Sequence, residues 1–120
     1  MQALKLAGTE QTPQVLLDKE TGKFEFSGRS LTDSATEFYR PIIAWLAGYS
    51  EAPNARTEVS FKMEYMNTAS SKAMFDLFAL LQSIPNSKVI WYFQDEDEDM
   101  EETGDEFASL VKVPFELRAL

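Results

Sequence analysis

Strand and helix patterns that alternate after an opening hairpin predict an α/β protein with α+β character. The expected core is a mixed sheet of about five strands, in the order ββαβαβαβ. Two further observations refine this. Alternate positions of several strands are polar (Lys62 and Glu64, Lys23 and Glu25, Glu116 and Arg118), so one sheet face meets water and the helices lie mainly on the other. The 120 residues, 44% hydrophobic and 12% aromatic, suffice for one core without staples, so residues 1–120 read as a single domain.

Leu4 to Leu6 reads as a short edge strand. Val15 to Asp18 and Lys23 to Ser27 flank Lys19-Glu20-Thr21-Gly22, a turn with glycine near its end, and form the hairpin. Thr32-Asp33-Ser34 supplies cap candidates for a helix with Phe38, Ile42, Trp45, Leu46 and Tyr49 on one face. Pro41 falls inside that pattern and is expected to kink it or start a second segment. Glu58 to Met66 is an alternating strand with Val59, Phe61, Met63 and Tyr65 as its apolar set. A second helix covers about Ser70 to Ile84 and stops at Pro85-Asn86. Val89 to Phe93 is nearly continuous in apolar residues and reads as the sheet's centre. A third helix, around Met100 to Val111, precedes a closing strand through Val113, Phe115 and Leu117. The βαβ units call for right-handed crossovers and largely parallel pairing, with the hairpin antiparallel.

Composition removes most catalytic chemistry. There is no cysteine, hence no disulfide and no thiolate, and a reducing, cytoplasmic setting is expected. There is no histidine either, which excludes Ser-His-Asp, Cys-His and zinc-type sites. The formal charge of −9 disfavours nucleic acid and anionic lipid as partners. No signal peptide and no membrane-spanning run is present in these residues. Neither GxxxxGK[ST] nor GxGxxG occurs, so nucleotide chemistry and cofactors have no support.

The stretch Tyr65-Met66-Asn67-Thr68-Ala69-Ser70-Ser71-Lys72 lies where a strand pattern gives way to a helical one. Free N–H groups and the helix dipole favour negative charge there. The plain reading is helix capping, typically contributing about 1 kcal/mol. Two details point further. One cap needs one side chain, yet Asn67, Thr68, Ser70 and Ser71 are all available. Lys72 also sits in the first turn, where the dipole disfavours a cation by a few tenths of a kcal/mol unless an anion joins it. A phosphate on Thr68 meets the dipole, free N–H groups and Lys72, and adds about −2 charge. Met66, Met74 and Phe75 lie close enough in sequence to form a partner surface.

Gln94 to Glu102 holds seven carboxylates in nine residues. The alternating ligands, central glycine and terminal glutamate of an EF-hand are missing, so a solvated loop leading into the third helix is the simpler reading. Two alternatives use this run: a divalent-metal-dependent enzyme, and an acidic decoy that covers a nucleic-acid-binding surface. Docking onto a basic partner is compatible with the solvated loop.

Several segments, taken together, resemble the SiaC family of bacterial regulatory phosphoproteins. They are Gly8 to Pro13, Glu37-Phe38-Tyr39-Arg40-Pro41-Ile42-Ile43-Ala44-Trp45-Leu46, Tyr65 to Lys72, Trp91-Tyr92-Phe93 with the acidic run, and Phe107 through Leu117. The resemblance implies a STAS-like fold related to anti-sigma factor antagonists. It also implies a phosphoacceptor threonine in an Asn-Thr-x-Ser-Ser motif, which lands on Thr68. It further implies a cognate SiaB-like kinase, a PP2C-like SiaA-type phosphatase, and a SiaD-like diguanylate cyclase activated by the unphosphorylated form. The expected outcome is raised cyclic-di-GMP and aggregation or biofilm formation. On this reading the chain is a non-enzymatic phospho-switch: Asn67, Ser70, Ser71 and Lys72 shape the turn around Thr68, and no residue is catalytic or metal-binding.

Overall fold

The computed structural model describes residues 1–120. Its elements are β1 (Leu4–Leu6), β2 (Gln14–Asp18), β3 (Lys23–Ser30), α1 (Ala35–Tyr49), β4 (Thr57–Met66), α2 (Thr68–Leu81), β5 (Ser87–Phe93), α3 (Glu98–Leu110) and β6 (Phe115–Ala119). The sheet has six strands rather than about five, because Leu4–Leu6 is a full ladder member paired antiparallel with β2. Spatial order follows chain order, β1-β2-β3-β4-β5-β6. The first two pairings are antiparallel and the last three parallel.

Three successive crossovers advance in one direction, and right-handed crossovers that never reverse place every helix on the same face. The burial pattern agrees. Phe24 and Phe26 of β3, Val59 and Phe61 of β4, and Val89 and Trp91 of β5 share one core with Ile42 and Leu46 of α1, Met74 and Phe78 of α2, and Phe107 of α3. The opposite face is open, with Glu25, Lys62 and Glu64 exposed on it.

The strand Val89–Phe93 is interior but not central; it lies one strand from the β6 edge, and β3 and β4 form the middle. Its apolar run has another cause. Tyr92 points to the open face, where Lys62 lies over its ring at 5.0 Å and Arg118 at 5.6 Å, so aromatic surface is covered by cations rather than by a helix. Pro41 does not break α1, which runs continuously through it. The helix tolerates the lost N–H because its buried residues, Tyr39, Ile42, Leu46 and Tyr49, hold it to the sheet on both sides of the proline.

A bulge alters the end of β4. Gly28 pairs with Met63 but Arg29 pairs with Tyr65, which leaves Glu64 unmatched. Gly28 has φ +110, a conformation that glycine adopts without a Cβ penalty. The extra residue reverses the alternation. Tyr65, expected in the apolar set, therefore turns to the open face and is 56% exposed, while Met66 turns toward the core. No helix is long and apolar enough to cross a membrane.

Candidate functional site

The β4–α2 junction divides its polar side chains among separate tasks. Asn67 is the N-cap: its backbone is extended (φ −85, ψ 173) and its Oδ1 accepts from the Ser70 amide at 2.8 Å. Its Nδ2 donates to the Thr32 carbonyl at 3.2 Å, and its own amide donates to the Ser30 carbonyl at 3.0 Å. Asn67 thus ties the start of α2 to the end of β3. The helix begins at Thr68, two residues before the Ser70 start that periodicity suggests, since the cap chemistry rather than the apolar pattern sets the boundary.

Ser70 is not a surface turn residue. It is fully buried, its Oγ donates to the Ser30 carbonyl at 2.9 Å, and it accepts from Ser30 Oγ at 2.7 Å. Ser30 Oγ also lies 2.8 Å from Tyr39 Oη of α1. This chain of three buried hydroxyls joins β3, α1 and α2 beneath the junction. Burial pushes the Tyr39 phenol up to about 12, with the Ser30 hydrogen bond opposing the shift. Ser30 and Tyr39 escape sequence reasoning. Ser30 does follow Phe24 and Phe26 on the inward face of β3, and a serine at an inward strand position is a usable signal.

With the cap and the anchor assigned, Thr68 is left exposed at the first helical position, and its hydroxyl makes no hydrogen bond within the chain. The amides of Thr68 and Ala69 have no acceptor in the chain, as expected of the first helical turn. Ser71 is half-buried, and its amide closes the first turn onto the Asn67 carbonyl at 3.0 Å. Lys72, one turn beyond Thr68, is exposed and forms no ion pair. No acidic residue occupies the first turn.

The neighbouring apolar candidates separate cleanly. Phe75 is 38% exposed, seven residues from Thr68 and so on the same helix face. Met74 is 0% exposed and belongs to the core, which removes it from any partner surface. Six residues from Thr68 carry the helix round by about 240°, toward the sheet. Met66 is half-buried and packs against the core.

The acidic run does not converge: no group of three Asp or Glu side chains is placed to hold a metal ion. Asp97 caps α3 through Oδ1 to the Met100 amide at 3.0 Å, and Glu98, Asp99 and Glu101 fill its first turn. A concavity of about 1180 Å³ lies on the open face beside Arg29, Lys62, Glu64 and Tyr65, and Thr68 is not among its walls.

The family model described as SiaC family regulatory phosphoprotein matches residues 6–120. The chain is 26% identical to an uncharacterized protein of Pseudomonas aeruginosa (strain UCBPP-PA14), over 99% of this chain and 98% of that protein. It superposes on the crystal structure of apo-SiaC from Pseudomonas aeruginosa with a TM-score of 0.88 at 26% identity, covering 99% of this chain and 100% of that one. A chain in the crystal structure of the diguanylate cyclase SiaD in complex with its activator SiaC, from the same organism, matches with a TM-score of 0.89 at 26% identity. That match covers 98% of this chain and 99% of the other.

Proposed function

This chain belongs to the SiaC family of regulatory phosphoproteins, and we propose that it is a phospho-switch read out through Thr68. It is a regulator rather than an enzyme. The proposed cycle has a SiaB-like kinase phosphorylating Thr68 and a SiaA-like phosphatase of the PP2C type reversing it. The unphosphorylated form binds and activates a SiaD-like diguanylate cyclase in the cytoplasm, raising cyclic-di-GMP and favouring aggregation or biofilm formation. The related SiaC seen with the cyclase SiaD supports this choice of partner.

One observation carries the choice of residue. Asn67 takes the cap and Ser70 the buried anchor, so Thr68 is the exposed hydroxyl at the helix start and can be modified without loss of either. A phosphate on its Oγ1 meets the open Thr68 and Ala69 amides, the positive end of the dipole and Lys72. It is stable within its own domain. A partner docking over Thr68 and Phe75 has to desolvate a dianion, which costs several kcal/mol unless the partner supplies a cation.

Intact mass and site mapping after co-expression with the cognate kinase test the assignment. The expected result is one added phosphate on Thr68; modification confined to Ser71 refutes it. In a pull-down, Thr68→Ala keeps cyclase binding and escapes kinase control. Thr68→Glu weakens binding at least about tenfold, and wild-type binding by Thr68→Glu ends the exclusion mechanism.

A further inference from the structure

From the free edge of the sheet we infer a second interaction surface: β6 is built to pair antiparallel with β6 of a second copy of this chain, about a two-fold axis at Leu117. The backbone fixes which groups are available. The Val89 amide donates to the Pro114 carbonyl at 2.8 Å, and the Leu120 amide donates to the Phe93 carbonyl at 2.8 Å. Even-numbered residues of β6 therefore address β5, and the N–H and C=O groups of Phe115, Leu117 and Ala119 point outward. An unpaired edge of this kind is a template for another strand.

The side chains then select one register. Centring the pair on Leu117 makes Leu117 the hydrogen-bonded pair at the axis and sets Phe115 against Ala119 of the second copy. It also sets Glu116 opposite Arg118 of the second copy, twice by symmetry. Moving the axis by one residue either way places Glu116 opposite Glu116 or Arg118 opposite Arg118, with like charges face to face. Within one chain Glu116 already binds Lys88 at 2.5 Å and Arg118. In the dimer it keeps Lys88 and exchanges its own Arg118 for that of the second copy. The outer strand at the other edge lacks this property, because a two-fold through its middle residue sets Lys5 against Lys5.

Antiparallel partners keep their faces, so the joined twelve-strand sheet carries both helix layers on one side. Both Thr68 surfaces then face the same way. The two α3 helices are brought toward each other near the axis, and their carboxylates repel, so the dimer is weak and concentration-dependent.

Sedimentation velocity across a dilution series up to millimolar chain tests this, with circular dichroism to verify folding of each variant. Wild type is expected to shift from one to two chains as concentration rises. Glu116→Arg and Arg118→Glu each set like charges opposite one another and weaken the dimer at least about tenfold. An equimolar mixture of the two restores it, as does the double exchange Glu116→Arg with Arg118→Glu, since each returns opposite charges to facing positions. A wild type that stays monomeric overturns the proposal, as does a dimer indifferent to both single substitutions. Loss without recovery in the mixture overturns the register.

Discussion

Helices α2 and α3 both follow a parallel strand, and both are capped by an Asx side chain that accepts from the amide three residues on. Electrically they are opposites. The start of α3 is filled with its own negative charge: Asp97 at the cap, then Glu98, Asp99 and Glu101. The start of α2 has a neutral cap, no acid in its first turn, an unpaired Lys72 and an exposed hydroxyl at Thr68. A chain with 20 acidic residues has kept them away from one helix terminus. One terminus satisfies its dipole with its own carboxylates; the other carries none, and on the proposed reading a phosphate takes that place.

Their attachment to the sheet differs as well. Helix α3 leans on an aromatic ring: Gly104 packs against Trp91, whose indole N–H donates to the Met100 carbonyl at 3.0 Å. Helix α2 is held at its start by the Tyr39–Ser30–Ser70 hydroxyl chain. The largest expected effect lies on the α3 side. A Cβ at position 104 falls 2.5 Å from Trp91 Cδ1, so Gly104→Ala displaces a fully buried ring and costs about 3 kcal/mol in chemical denaturation. An unchanged midpoint means that the helix shifts freely and the comparison fails.

Alkaline unfolding comes next. The Tyr39 phenol titrates near 10.0 in the unfolded chain and at about 12 when buried, so the unfolded state loses its proton first. Stability therefore falls as pH rises above 10, by about 1.4 kcal/mol per pH unit until the folded value is reached. Tyr39→Phe removes this component of the slope. Ser70→Ala is expected to cost about 2 kcal/mol, because it strips the Ser30 carbonyl and hydroxyl of a buried partner.

Smallest of all are the caps and Thr68, the proposed switch residue. Asn67→Ala and Asp97→Ala each cost about 1 kcal/mol. Thr68→Ala changes thermal stability by less than about 0.5 kcal/mol, since the hydroxyl has no partner to lose. A Thr68→Ala loss as large as that of Asn67→Ala identifies Thr68 as a structural cap and removes the contrast between the two termini.

Much of this was legible in the chain. The hairpin, the alternation of strand and helix, the wet sheet face and the acid-rich start of α3 follow from period and composition, because each records one residue's neighbours along its own element. The junction from Asn67 to Lys72 was likewise visible as a cluster of cap-forming side chains before a helix. The division of labour within it was not: that Ser70 is buried depends on Ser30 and Tyr39, 40 and 31 positions away in the chain. Tyr65 fitted the inward set of its strand until the Gly28–Glu64 irregularity turned it outward, and such a bulge shows only once two strands are paired. Met74 and Phe75 are adjacent apolar residues, and only the direction in which α2 packs separates the core residue from the exposed one.

By itself the sequence determined the chemistry available to this protein: no histidine, no cysteine, abundant carboxylates, and hydroxyls gathered at one helix start. Tertiary structure decided which hydroxyl is buried and bonded, that of Ser70, and which is exposed, that of Thr68. Side-chain type is a local property, whereas exposure and hydrogen-bond partnership are set by strands and helices distant in sequence that must pack against one another before any polar group's partner is fixed.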